Sequence, residues 1–354
     1  MSDSHRRQAR RSRKRSAGAA RTAGFSLVEM MVALGVSMIL MAGIIQLLVG
    51  NKQAYRIQEG ASRLNENARF AVQDITQKLR MGGHWGGVAS NFVSTNGGLP
   101  GAPGNNCTHG GWATFSNTGL EGYEGGATSP LVTCVPDANY VANSDVVVVR
   151  YADALSVPSA QATAAPLDAD IYVRAGVGRR AEIAQGSDIT GIGDLYDAGD
   201  PDAAGFYNYP YRLFAYFVRP CSAPGADGVC DTADDAGDGI PTLVRLALVG
   251  TTLDEEGVVE GVEQLQVQYG VNTDGDLDGN ADQYFTADNV PNWNNVVSLR
   301  LSLLVRNPET DVSADDADTY DMVGGFSYTP PAADRQFPRK LYNTVIQVRN
   351  RTRG

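Results

Sequence analysis

Residues 25–49, FSLVEMMVALGVSMILMAGIIQLLV, constrain this chain more than any other feature. Nineteen of these 25 residues are strongly apolar, and Glu29 is the one charge. About 20 apolar residues carry a helix across the hydrocarbon core of a bilayer. A core helix of a soluble protein is shorter and does not follow a cationic tail. Here residues 1–24 carry eight Arg or Lys against one acid, Asp3. Basic residues beside a span stay on the cytoplasmic face. The sequence therefore predicts a single pass with the N-terminus inside and everything after about residue 50 outside. In a bacterium that is an inner-membrane protein with a periplasmic body.

That basic tail sits in a chain whose net charge is −11, so the body beyond the span is strongly acidic. Such a body repels nucleic-acid backbones, and no nucleic-acid partner is expected. An apolar share of 43% rules out a disordered chain. A secretory signal would end its apolar stretch at a small-residue cleavage site. This one runs instead into LLVGNKQAYR. The unusual border is the other one, Gly24-Phe25-Ser26-Leu27-Val28-Glu29. A carboxylate inside a span costs about 2.5–3.5 kcal/mol at the centre and less near the edge, which marks Glu29 as a functional residue.

Gly-Phe-Ser-Leu-Val-Glu followed by the apolar run resembles the class III signal of type IV pilins and type II secretion pseudopilins. The resemblance implies that prepilin peptidase cuts between Gly24 and Phe25 and that Phe25 is then N-methylated. It also implies that Glu29 sets axial register by pairing with the cationic N-terminus of a neighbouring subunit, which would offset its burial. Gln46 stands where the major subunits of the family carry proline. The string GNKQAYRIQEGASRLNENARFAVQDITQKLRMGGHWG narrows the resemblance to PilW-type minor pilins over about residues 24–86. A looser resemblance returns at 241–248 and 295–307.

Beyond the span the helical pattern continues. Ile57, Ala61, Leu64, Ala68, Val72, Ile75 and Leu79 recur at steps of three and four, one face of a helix. Gly82-Gly83 ends it. The expected division is a basic leader 1–24, a membrane or filament-core helix 25–50, its amphipathic continuation 51–83, and a periplasmic β-rich head 84–354. Strand patterns at 144–151, 211–219, 242–249, 262–269, 296–306 and 341–349 are separated by turn-rich stretches. The expected fold class is α+β and pilin-like: a long N-terminal helix packed on an antiparallel sheet with long loops.

The four cysteines all follow the span, where disulfides are the rule. Three pairings are open, and the local pairs Cys221–Cys230 and Cys107–Cys134 are expected. Asp274, Asp276, Asp278 and Asp282 with Gly279 match the first half of an EF-hand-type loop and make a candidate structural Ca²⁺ site. Phe285 stands where the closing Glu would be, and a solvated acidic turn explains the same residues. The cluster Asp231, Asp234, Asp235 and Asp238 reads as plain loop. Gly176–Ala181 imitates a dinucleotide fingerprint, which needs a preceding strand, a following helix and a cytosolic ligand, whereas this region is expected to be exported. His84-Trp85 reads as a packed helix exit. No hydrolase, kinase or metalloprotease motif occurs, so no enzymatic activity and no required cofactor are expected.

The function implied is that of a minor pilin in the priming or tip complex of a type IV pilus. Its partners would be prepilin peptidase, other minor pilins, the major pilin and the inner membrane, and its final place the fibre at the cell surface. The alternatives are a J-type minor pseudopilin of type II secretion and an uncleaved, membrane-anchored adhesin or binding protein.

Overall fold

Helix α1, Leu27–Leu79, runs through Gly35, Gly43 and Gly50 because no proline interrupts it. The computed structural model describes residues 24–97, 99, 114–176, 178–203, 205–230, 238–275, 279–311 and 314–348. Contacts divide the chain inside α1, after Arg56. The helical residues before that point are all exposed.

From Ile57 onward the helix is part of the body. Gly60, Leu64, Ala68, Ala71, Ile75 and Leu79 are its buried residues, a single strip at steps of three and four. Four of these lie on the face that the periodicity predicts. Ile57 and Ala61 do not: both are exposed. Ala71 takes the central place and Val72 moves to the half-buried margin. The strip alternates small residues, Gly60, Ala68 and Ala71, with the larger Leu64, Ile75 and Leu79. A Cβ at Gly60 would stand 2.3 Å from the Asn307 amide nitrogen.

The strands are β1 (Val93–Thr95), β2 (Leu120–Tyr123), β3 (Val146–Ala152), β4 (Ile171–Gly176), β5 (Ala181–Gln185), β6 (Phe206–Arg219), β7 (Thr242–Val249), β8 (Thr252–Glu260), β9 (Val262–Val271), β10 (Gln283–Phe285), β11 (Val296–Arg306), β12 (Tyr320–Asp321), β13 (Ser327–Tyr328) and β14 (Arg339–Gln347). They do not form the one antiparallel sheet that the sequence suggests. An eight-stranded sheet runs β1-β5-β4-β6-β3-β2, with β7 also on β6 and β8 on β7. Its β1–β5 pair is parallel. That pairing is open to β1 because a long connection separates it from β5 in the chain. A second, four-stranded sheet runs β10-β9-β11-β14 and is antiparallel throughout. The class remains α+β, with the end of α1 against both sheets.

The larger core cluster joins the α1 strip to Val147, Val149, Tyr216 and Leu243 of the first sheet and to Leu265, Val267, Leu299, Leu301 and Leu303 of the second. The opposite face of the first sheet builds its own cluster, with Val146, Val148, Leu213, Ala215 and Phe217. Both faces of β3 are thus buried. That is why it reads as an unbroken apolar run, without the alternation of a half-solvated strand.

The helix exit is docked on β3. Gly83 donates its N–H to Arg150 O at 3.0 Å, and His84 O accepts from Ala152 N at 2.7 Å. Gly83 takes a positive φ of 72°, a left-handed turn that glycine makes without strain. Trp85 is buried and stacks on Tyr211. Gly176 ends β4 and Ala181 begins β5, its antiparallel partner. A dinucleotide loop would lead from a strand into a helix, so the fingerprint has no such context here.

One carboxylate links the two sheets. Asp145 Oδ2 accepts from Val267 N at 2.8 Å and Oδ1 from Gly125 N at 2.9 Å, while Asp145 N donates to Leu265 O at 2.8 Å. Burial pushes its carboxyl up to about 7, against the pull of those two N–H groups and with help from Glu124 and Asp288. A carboxyl whose folded value lies above its ordinary 3.8 holds a proton in the folded state that the unfolded state has lost. Its contribution to stability is therefore fully present below that ordinary value and is lost as pH rises toward about 7. Asp145→Asn should flatten this fall, as read from urea unfolding at a series of pH values. An unchanged slope in the variant would show that Asp145 does not titrate in this window.

Candidate functional site

The features that could act on other molecules begin at the front of α1. Ser26 O accepts from Met30 N at 3.1 Å, so the first turn forms two residues after Gly24. Phe25 is 83% exposed. Among the described residues, a Cβ on Gly24 would meet no atom within 4 Å. Nothing in their packing asks for glycine there. Glu29 lies in the first helical turn, where the helix dipole favours a carboxylate.

Among the described residues one helix is long and apolar enough to cross a membrane, with a best-window mean hydropathy of 2.4 and none of that window buried. Residues such as Leu27, Ile39, Leu40 and Leu47 are more than 60% exposed. At about 25 cal/mol per Å² such a surface cannot stay in water. It must be covered by lipid or by other helices. Within the span Ser37 is satisfied locally, its Oγ donating to Ala33 O at 2.7 Å.

Farther along, the helix is held by polar contacts on both sides of its buried strip. Asp74 accepts from Tyr216 Oη at 2.7 Å and from Arg245 Nη1 at 3.0 and 3.2 Å. Burial and the Asp74 carboxylate together push the Tyr216 hydroxyl well above its ordinary range. Asn67 donates to Glu260 O at 3.1 Å. On the other side Asn65 Oδ1 accepts from Tyr342 Oη at 2.7 Å and Lys340 Nζ at 3.0 Å. None of these partners was legible in the sequence, because each pair is separated by more than a hundred residues.

The expected metal residues fall partly outside the described chain. Asp276 and Asp278 are not among the described residues. Asp282 Oδ2 accepts from Thr273 N at 2.7 Å, Thr273 Oγ1 at 3.2 Å and Asp274 N at 3.3 Å. That carboxylate closes the turn after β9, and Asp274 gives it a backbone donor. Among the described residues no three His, Cys, Asp or Glu side chains are grouped to hold a metal ion. Of the second acidic cluster, Asp231, Asp234 and Asp235 lie outside the described residues. Asp238 accepts from Ser222 Oγ at 2.7 Å and Ala223 N at 3.0 Å. Burial pushes its carboxyl up, but these donors outweigh it and hold the group below its ordinary value.

Cys221 is joined to Cys230. Cys134 is disulfide-bonded as well, and Cys107 lies outside the described residues. A buried Arg174 was not foreseen. Its guanidinium donates to Asn208 Oδ1 at 2.7 Å, to Ser159 Oγ at 3.0 Å and to the Leu195 and Pro201 carbonyls. These contacts tie Ser159, Leu195 and Pro201 to β4 and β6.

A model of the prokaryotic N-terminal methylation motif matches residues 20–45. A model described as Type IV Pilus-assembly protein W matches residues 232–350. The string at 51–86 that suggested the resemblance lies outside both spans. No curated protein matches the chain. Among solved structures, a type IV-like pilin from Thermus thermophilus is similar at 11% identity over 82% of this chain and 100% of that chain, with a TM-score of 0.33.

Proposed function

We propose, for a chain whose two family matches support a PilW-type pilin, the role of a minor subunit that takes part in type IV pilus assembly. One observation carries the reading. An apolar helix that its own chain leaves wholly uncovered follows directly on a Gly24-Phe25 junction with Glu29 in its first turn. Prepilin peptidase would cut between Gly24 and Phe25, leaving a cationic amine at Phe25. Residues 25–50 would hold the precursor in the inner membrane, N-terminus inside, and would later pass from lipid into the filament core. There the Glu29 carboxylate would meet the amine of a neighbouring subunit. Pairing removes the cost of burying either charge alone and fixes the axial step. The work is packing, with no catalytic step. A bulky acidic head suits a priming or tip complex with other minor pilins, since it need not repeat along the shaft.

Intact-mass measurement of the protein from membranes tests the processing. With active prepilin peptidase the expected species begins at N-methylated Phe25. Retention of residues 1–24 with the peptidase present would favour the anchored binding protein. Glu29→Ala should leave cleavage largely intact and lower incorporation into fibres, read by immunoblot of sheared pili. Normal incorporation would remove the register role. Incorporation into a type II secretion pseudopilus instead would favour the J-type pseudopilin.

Ca²⁺ in the Asp274–Asp282 loop is a separate proposal that rests on the sequence pattern. Added Ca²⁺ should raise the melting temperature, and Asp276→Ala with Asp278→Ala should abolish the rise. No shift in the unmutated protein would remove the metal.

A further inference from the structure

A groove of 1220 Å³ runs beside α1 between the first sheet and β14. Its walls carry Arg69, Lys78, Arg80 and Arg212 against a single acid, Asp153. Arg212 is paired with Asp153 at 2.9 Å. No described acid lies within ion-pair reach of Arg69, Lys78 or Arg80. Arg69 and Arg80 are exposed, and Lys78 stands over the Phe214 ring at 4.9 Å. In a chain of net charge −11 such a concentration of unpaired positive charge is local and directional.

The same groove is bordered by an open strand edge. β14 pairs with β11 along one side, and no described strand pairs with the other. Its register shows which groups are free. Val348 N donates to Val297 O and Asn307 N donates to Pro338 O, so in this antiparallel ladder the hydrogen-bonded positions of the last strand are the even-numbered ones. The N–H and C=O groups of Leu341, Asn343 and Val345 therefore point away from β11. Val345 is also 61% exposed. Free edges of this kind are templates for strand addition.

The first sheet ends in an edge of opposite charge. β8 pairs only with β7 among the described strands, and it carries Asp254, Glu255, Glu256 and Glu260, all on exposed positions. Glu256 is paired with Arg245 at 2.7 Å, and Glu255 with Arg219. The two edges lie on opposite flanks of α1. Asn67 and Asp74 reach the β7–β8 side, and Asn65 reaches β14. At about 100° per residue, 65 and 67 stand on opposite sides of a helix.

We infer that the basic groove and free edge of β14 receive the acidic edge strand β8 of a second copy of this chain, joining their sheets edge to edge. Like edges repel: β8 against β8 sets acid on acid, and groove against groove sets cation on cation. The unlike pairing is the one that charge permits. Because the edges lie on opposite flanks, copies standing side by side with parallel helices would each present β8 to the next β14. The contact is heterologous, using unlike edges of the two copies. It concerns the body alone and does not depend on the pilus reading.

The test uses the full chain, one copy per nanodisc, so that the apolar helices cannot meet. Sedimentation of the discs should show concentration-dependent pairing that weakens as salt rises. Arg69→Glu with Arg80→Glu should weaken pairing by about tenfold or more, and so should Asp254→Arg with Glu260→Arg. Mixing these two variants should restore it. Val345→Pro, which removes an outward N–H and leaves the β11 bonds in place, should also abolish pairing. Circular dichroism and melting check that each variant is folded, and the exposed charge variants decide the matter if the proline variant is not. Unmodified discs that stay single overturn the inference. So does pairing indifferent to all four charge changes, or a mixture of the reversed variants that fails to pair.

Discussion

The buried strip of α1 from Gly60 to Leu79 is the contact on which the rest of the body depends. It is narrow, one residue wide at steps of three and four, and side chains of both sheets cluster with it. Without it the inner faces of the two sheets would lose the wall between them. Leu265, Val267, Leu299 and Leu301 would then face water, as would Val147 and Val149. Fully burying one such side chain contributes about 1.5–3 kcal/mol. Helix and sheets are therefore stable together in a way that neither is alone. The flanking contacts of Asp74, Asn67 and Asn65 fix the rotation of the helix about its axis. A strip this narrow would otherwise specify that rotation weakly.

Sequence reading succeeded where one local period decides the outcome. The apolar run, the helix end near Gly82 and the strands β3, β6, β7, β9, β11 and β14 all carry strong hydrophobic patterns, and all are present. The strands it passed over are mostly short, such as β1, β10, β12 and β13, where two or three residues cannot show a period. β8 was missed for another reason. Its sequence TLDEEGVVE is mostly polar, and it is a strand because the two-residue turn after Val249 folds it back on β7. The division into two sheets was equally hidden, since nothing local in a strand says which sheet it joins.

The polar chemistry was the least legible part. Asp145, Arg174 and the Asp74–Arg245 pair each look like ordinary surface residues in the sequence. Each is buried or half-buried because residues distant in the chain surround it and satisfy its hydrogen bonds. The acidic loop is the reverse case. Its pattern suggests a metal; of the set, Asp282 accepts from the backbone N–H groups of Thr273 and Asp274, and Asp276 and Asp278 lie outside the described residues.

The glycines and apolar residues fall into two kinds, and the difference bears on function. At Gly60, Gly82 and Gly119 a Cβ would strike atoms of the chain within 3 Å. There the fold itself explains the residue. At Gly24 a Cβ would strike nothing among the described residues, and the apolar residues of the span bury nothing there. A chain that only had to fold could replace these residues freely. Packing within the described residues does not account for their identities. The methylation-motif match over residues 20–45 covers this stretch. The assembly-protein match over 232–350 covers β7 through β14, the strands that grip the far end of the same helix. The intervening strands serve both clusters: Leu120, Val147, Val149, Tyr216 and Val218 join the one that holds α1, and Val146, Val148, Leu213 and Phe217 the other. The buried strip of α1 from Gly60 to Leu79, and the residues of β2, β3 and β6 clustered with it, lie outside both matches.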